Sequence, residues 1–244
     1  MLPCMSADRF WIAHRGGGNA APENTLAAFR AGRAAGFRAF ECDVQLSRDG
    51  VAFLLHDAQL QRTTDGRGRA AAQAWSALAW LQAGSGEALP RLDAVLAYAA
   101  RHRLWLNIEL KPAPGEARRV GSGVAREVAA ALQRWPRLPC PLLSSFAPPA
   151  LRAARAQAQA LHLSLQLALL AEHWRTDLPL RARRLHAVAL HLHWSALRPA
   201  RVYAAHAAGL AVRAYTVNRA DTARRLHRMG VDGVFTDRLD LPRR

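Results

Sequence analysis

Lysine is almost missing from this chain of 244 residues: Lys111 is the only one, and the remaining basic surplus is arginine. Acidic residues are scarce as well, 18 against 34 Lys+Arg, which leaves a formal net charge of +16. Such an imbalance suggests an anionic partner, whether phosphate ester, nucleic acid or membrane surface. Drift toward arginine codons accounts for much of it, and that makes the one retained ammonium more informative. Ammonium is a compact point charge; guanidinium is a wide planar fork. Aromatic residues make up only 7% of the chain and the arginines are spread over most of its helical stretches. A non-catalytic polyanion binder needs clustered arginines interleaved with stacking rings, so that class is disfavoured. Cysteine is limited to Cys4, Cys42 and Cys140, an odd set without CxxC spacing. This set argues against a disulfide framework and favours a reducing compartment, and the count excludes an all-cysteine zinc site. No uninterrupted run of ~18 apolar residues occurs, so no membrane-spanning helix is expected. The first strand-like run, Phe10–Ala13, begins too early for a secretory leader to precede it. A cytoplasmic location is the expectation.

What is present is alternation. Short apolar runs at Phe10–Ala13, Ala39–Leu46, Val51–Leu55, Leu104–Leu110, Pro141–Ser145, Leu161–Leu167, His186–Leu192, Ala211–Val217 and Gly233–Phe235 read as strands. Between them, amphipathic stretches near 24–35, 92–101, 124–135, 149–157, 199–208 and 220–228 read as helices. Asp49-Gly50 marks a tight turn between the second and third strands. Residues 57–89 are irregular, with one short helix near Trp75–Leu81, and read as an insertion after the second strand region. Repeated strand–helix units predict a parallel sheet with helices outside. At this length a single-domain (β/α)8 barrel leads, with a doubly wound open sheet as the alternative.

Barrel enzymes place their chemistry where strands end. The first strand runs into His14-Arg15-Gly16-Gly17-Gly18, a proton carrier and a phosphate-sized fork beside a glycine turn. Glu41 and Asp43 stand at i and i+2 of a strand and therefore share a face. Two carboxylates held together demand a cation or a raised pKa, and oxygen ligands suit a hard metal. Glu109-Leu110-Lys111 repeats the spacing with an acid and the lone lysine. His56-Asp57 closes another strand. Most other histidines read as surface or packing residues, with His191 and His193 given more weight because they share one face after a strand.

Together these residues resemble the glycerophosphodiester phosphodiesterases. The likeness rests on His14-Arg15-Gly16, then Pro22-Glu23-Asn24-Thr25, Glu41-x-Asp43, His56-Asp57, Leu60-x-Arg62-Thr63-Thr64-Asp65-Gly66-x-Gly68 and Leu89-Pro90-x-Leu92. It continues through Glu109-x-Lys111, Ser144-Ser145-Phe146, Thr216-Val217-Asn218 and Gly230-Val231-Asp232-Gly233-Val234-x-Thr236-Asp237, covering about residues 11–240. Two positions depart from the pattern: Ala20 and Ala21 replace an aromatic residue before Pro22, and Tyr215 stands where tryptophan is common.

The resemblance implies a (β/α)8 barrel that hydrolyses glycerophosphodiesters to sn-glycerol 3-phosphate and an alcohol. It implies one divalent cation, Mg²⁺ or Ca²⁺, on Glu41, Asp43 and Glu109, with phosphate held by Arg15 and Lys111. His14 and His56 become the acid–base pair, their individual roles open. A lysophospholipid substrate cleaved in a phospholipase D or C manner is the alternative on the same barrel. The partner is then a small molecule rather than nucleic acid, without stable membrane insertion.

Overall fold

The computed structural model describes residues 10–84 and 86–243, so Cys4 lies outside the described residues. Nine strands form one sheet: β1 (Trp11–Ala13), β2 (Ala39–Leu46), β3 (Ala52–Leu54), β4 (Trp105–Leu110), β5 (Leu142–Ser145), β6 (Gln166–Ala171), β7 (Ala189–His193), β8 (Ala211–Tyr215) and β9 (Gly233–Thr236). Around the ring the order is β1-β2-β4-β5-β6-β7-β8-β9, every neighbouring pair parallel, and β9 pairs back onto β1. The sheet is therefore a closed barrel. β3 lies outside the ring, antiparallel to β2, with Val44 opposite Leu54 and Leu46 opposite Ala52. Gly50 (φ 91°) turns that hairpin in the left-handed region glycine allows.

The helices fall between the strands: α1 (Leu26–Ala34), α2 (Trp75–Leu78), α3 (Leu92–His102), α4 (Ala117–Arg134), α5 (Pro148–Ala160), α6 (Leu178–Arg184), α7 (Pro199–Ala207) and α8 (Ala220–Arg228). Thr25 caps α1 by accepting from the Ala28 N–H at 3.2 Å. Gly121 brings α4 and α5 into contact, since a Cβ there would stand 2.1 Å from the Ala150 carbonyl oxygen.

Strand periodicity decides what faces the lumen. In β2, Phe40, Cys42, Val44 and Leu46 belong to the outer core under the helices, whereas Ala39 joins the inner floor. Glu41 and Asp43 therefore point into the barrel. By the same alternation Leu106, Ile108 and Leu110 of β4 face outward, leaving Asn107 and Glu109 inside with Trp105. Ile12, Ala39, Trp105, Leu142, Ala168, Ala189 and Phe235 fill the floor. Arg213 sits just above them, its guanidinium 5.3 Å from the Trp105 ring centre and its Nη1 donating to His191 Nε2 at 3.2 Å.

Three elements differ from the sequence reading. The sixth strand begins at Gln166 rather than Leu161, because the alanine-rich α5 runs on to Ala160 and ends at His162 in the left-handed region. Helix α4 starts at Ala117, its first turns hidden in the sequence by Gly121 and Gly123. Helix α6 was not anticipated, although Leu178, Ala182 and Leu185 are buried at helical spacing. The expected turn at Asp49-Gly50 is present. Residues 53–89 gather a separate small cluster around Phe53, Leu60, Leu78 and Leu89 against β3. Among the described residues no helix is long and apolar enough to cross a membrane.

Candidate active site

A cavity of about 540 Å³ opens at the end of the barrel where the parallel strands finish, lined by His14, Arg15, Glu41, His56, Asn107, Glu109 and Lys111 on one side. The elements behind them explain how the rim holds so much charge. After β1 the chain turns sharply, with Arg15 (φ 52°) and Gly16 (φ 88°) both in the left-handed region. Gly18 lies against the backbone of Asp237, where a Cβ would come within 2.2 Å. This close approach brings the two chain ends of the barrel together. His14 Nδ1 donates to Asp237 Oδ1 at 2.7 Å, and Asp237 is itself fixed by the Asn218 amide at 2.8 Å. His56 is anchored in the same way, Nδ1 to Asp57 Oδ1 at 2.6 Å. Each imidazole thus commits Nδ1 to a carboxylate and leaves Nε2 for the cavity, a tautomer fixed by its partner. His14 Nε2 lies 3.8 Å from Glu41 Oε2.

Glu41, Asp43 and Glu109 each present an oxygen within 4.8 Å of the other two. Glu41 is 3% and Asp43 1% exposed. The Arg15 backbone N–H donates to Glu41 Oε2 at 2.8 Å, while Glu41 Oε1 is buried without a hydrogen-bond partner. Asn24 brackets Asp43, donating from Nδ2 to Oδ2 at 2.9 Å and accepting from the Asp43 N–H at 3.0 Å. Lys111 Nζ lies 3.1 Å from Glu109 Oε1 and 3.7 Å from Asp43 Oδ1.

These charges move one another's proton affinities in opposite directions. Burial, then the charges of Asp43 and Glu109, pushes Glu41 well above the usual carboxylate range. Burial and Asp43 push Glu109 up to about 7 against the pull of Lys111. Burial would raise Asp43 too, but Lys111, His56, Arg15 and Asn24 together hold it below its ordinary value. His56 is lowered, chiefly by burial and then by Lys111, with Asp43 opposing. Without a cation the trio resists carrying three negative charges. Its all-oxygen donor set and the unsatisfied Glu41 Oε1 fit a hard divalent ion.

Arg15 and His56 are braced by residues that carry no separate role in the sequence reading. Arg15 Nη1 donates to Glu23 Oε1 at 2.9 Å. Arg62, from the segment after β3, donates to Glu23 at 2.6 and 2.9 Å and to Asp57 at 3.1 Å. One chain of charge therefore runs Arg15–Glu23–Arg62–Asp57–His56. All seven candidate residues line one mouth: His14, Arg15, Glu41, His56, Glu109 and Lys111 line the cavity, with Asp43 at the carboxylate cluster. His191 and His193 line it too, His191 from a fully buried position on its floor. The sequence reading did not single out Asp237, Asn218, Glu23 or Arg62 as partners. They lay inside its motifs, but pairing across 223 residues, as for His14 and Asp237, leaves no local signal.

Comparison with known proteins agrees with this geometry. The chain is 30% identical over 234 residues to the glycerophosphodiester phosphodiesterase of Caldanaerobacter subterraneus subsp. tengcongensis, covering 93% of each. It is 32% identical to a probable glycerophosphodiester phosphodiesterase 2 of Mycobacterium tuberculosis, covering 96% of this chain and 89% of that one. A solved phosphodiesterase from Oleispira antarctica, in complex with the product sn-glycerol-3-phosphate, superposes with a TM-score of 0.85 at 32% identity, covering 96% and 95% of the two chains. A putative glycerophosphoryl diester phosphodiesterase from Silicibacter pomeroyi gives 0.82 at 26% identity, covering 93% and 89%. Residues 14–241 match the Glycerophosphoryl diester phosphodiesterase family, and the chain belongs to that family of phosphoric diester hydrolases.

Proposed function

We propose that the chain hydrolyses glycerophosphodiesters to sn-glycerol 3-phosphate and an alcohol. The observation that carries this reading is the convergence of three carboxylates, two cations and two carboxylate-anchored histidines on one barrel mouth. Glu41, Asp43 and Glu109 would hold one Mg²⁺ or Ca²⁺. When bound, that ion supplies Lewis-acid charge for a non-bridging phosphate oxygen. Arg15 and Lys111 neutralise the remaining phosphoryl charge, Arg15 as a fork and Lys111 as a point. One histidine takes the proton from the attacking hydroxyl while the other gives its proton to the departing alkoxide. The neighbouring hydroxyl of the substrate's own glycerol is the first nucleophile, closing a cyclic phosphate as the alcohol leaves. Water then opens the ring, and the histidines exchange proton roles. Asp237 and Asp57 hold the imidazoles in the tautomer this needs, and stabilise each imidazolium as it forms.

A small polar substrate suits the mouth better than a lysophospholipid. Of the large apolar side chains exposed among the described residues, Trp80, Phe146, Leu161, Leu180 and Tyr203, only Phe146 lines the cavity. On the same reading the chain is one catalytic domain with residues 57–89 as a rim insertion, because its hydrophobic clusters are all built on strands of one sheet. The cytoplasm is its proposed location, from its cysteine usage. The decisive experiment measures sn-glycerol 3-phosphate released from a panel of glycerophosphodiesters, with and without EDTA. Release that stops on chelation and returns with Mg²⁺ or Ca²⁺ is expected; full activity after dialysis against excess EDTA overturns the metal assignment.

A further inference from the structure

The alcohol half of the diester has its own wall. In barrel order, the carboxylates and histidines occupy the arc from β9 through β1 and β2 to β4, and β5 to β8 make the facing arc. That facing arc contributes Phe146, Leu170, Glu172, His193 and Tyr215 to the cavity. The edge of one ring meets the other in the Phe146–Tyr215 pair, centres 6.0 Å apart at 85°, and His193 meets Tyr215 at 5.9 Å and 77°. The Tyr215 hydroxyl donates to the Ala171 carbonyl at 3.0 Å, so toward a ligand Tyr215 offers chiefly its ring. His193 is likewise held, its Nδ1 2.7 Å from Ser195 Oγ.

Glu172 is the single acidic side chain on this arc of the cavity. It is exposed and has no hydrogen-bond or ion-pair partner among the described residues. That is unusual in a chain with nearly two basic residues for each acidic one, where most carboxylates are paired. Glu172 and Tyr215 line the same cavity, and after burial the negative charge of Glu172 is the next cause that pushes the Tyr215 phenol above its ordinary value.

We propose that Phe146, Tyr215, His193 and Glu172 form a leaving-group subsite that selects glycerophosphodiesters whose alcohol carries a cationic amine, of the choline or ethanolamine type. This rests on the diesterase reading above and assigns its second half. A quaternary ammonium cannot donate hydrogen bonds, so it is recognised by ring faces and a nearby negative charge. A zwitterionic diester matches the two poles of the cavity: phosphate toward Arg15 and Lys111, ammonium toward Glu172 and the rings. Neutral alcohols gain only the apolar contact, and anionic ones meet repulsion from Glu172.

The test uses the metal-loaded enzyme and two esters of one shape, glycerophosphocholine and its neutral isostere with tert-butyl in place of trimethylammonium. Wild type should show kcat/KM at least ~10-fold higher on the choline ester. Glu172→Gln should lose most of that preference, about 10-fold on the choline ester and under about 2-fold on the isostere, mainly through KM. Phe146→Leu should lower the preference in the same direction by a few-fold. Equal losses on the two esters would mean that Glu172 serves the shared glycerol half or the fold, and would overturn the subsite; so would an unchanged preference in Glu172→Gln. Wild type that releases no sn-glycerol 3-phosphate from any glycerol diester would overturn the underlying diesterase reading itself.

Discussion

The two arcs of the barrel mouth are built by different rules. From β9 to β4 the working side chains are held by other side chains: His14 by Asp237, Asp43 by Asn24, Arg15 by Glu23, and His56 by Asp57, which Arg62 holds in turn. From β5 to β8 the cavity wall is mostly rings and aliphatic surface, and its one carboxylate stands alone. The difference follows from the work the proposed reaction asks of each side. A reacting centre must hold its groups within a fraction of an ångström of productive geometry, which takes a second layer of hydrogen bonds. A leaving group needs only shape and net charge. Mutations on the charged arc should therefore alter the chemical step, while those on the aromatic arc should alter which diester is preferred.

The carboxylates give the largest expected contrast. Glu41→Ala or Asp43→Ala should cost ~10³-fold or more in kcat, because phosphoryl charge is then left unneutralised in a low-dielectric site. The same Glu41 variant should melt higher than wild type in EDTA above neutral pH. Burial and two neighbouring charges raise the Glu41 pKa in the folded state, so wild type loses stability as the pH climbs and the group is forced to ionise. Thermal melts in EDTA at pH 5 and pH 8 check this; a variant less stable than wild type at pH 8 would contradict it.

Next in size are the histidines. His14→Ala and His56→Ala should each cost ~10²–10⁴-fold in kcat/KM, with far less than additive loss in the double variant. A glycerol diester of p-nitrophenol, whose leaving group needs little protonation, separates the roles. The variant lacking the leaving-group acid should be rescued by it and the other should not. Equal loss of both variants on both substrates would break the division of labour.

Lys111 tests whether point charge or charge alone matters. Its ammonium is wedged 3.1 Å from Glu109 and 3.7 Å from Asp43, with its side chain only 22% exposed. A longer planar guanidinium would press on the carboxylates proposed to hold the ion. Lys111→Arg should keep the fold and net charge yet lose at least ~10-fold in kcat/KM, ~1.4 kcal/mol of transition-state stabilisation. Lys111→Met, with melting temperatures for both variants, is the control. Wild-type kinetics in the arginine variant would make the lone lysine an accident of composition.

Much of this was legible in the sequence, for physical reasons that differ by element. Glu41, Asp43, Glu109 and Lys111 could be read because period-two strands put i and i+2 on one face, whatever the surroundings. His14 and His56 could be read because they close apolar runs. The Asp49-Gly50 hairpin turn was legible from local chemistry alone. The sixth strand was misplaced because Leu161 and Leu163 continue an apolar pattern that the backbone interrupts at His162. Helix α6 escaped notice because its three arginines, Arg181, Arg183 and Arg184, interleave with the few buried positions that define its face. The partner of His14 escaped because a pair spanning the barrel closure, His14 with Asp237, depends on strand order. No pattern within either segment carries it.

The smallest predicted effect is also the one that most cleanly separates charge from packing. Arg62, and after it the bond from His56, holds Asp57 down at about 2. An acid with a depressed folded pKa stabilises the protein fully above its ordinary value of 3.8 and loses that contribution as the pH falls through about 2. The shift corresponds to roughly 2.5 kcal/mol at most. Asp57 and Arg62 are 28% and 46% exposed, so solvent screening reduces this to about 1 kcal/mol. Asp57→Asn should therefore be about 1 kcal/mol less stable than wild type at pH 7, and the two should converge near pH 2, as read by urea unfolding. Phe146→Leu, across the mouth, buries no titrating group and should show a stability difference that does not change with pH. If the Asp57→Asn gap stayed constant from pH 7 to pH 2, the Arg62 bridge would be acting through shape, and the distinction between a charge-built arc and a surface-built arc would fail at its outer edge.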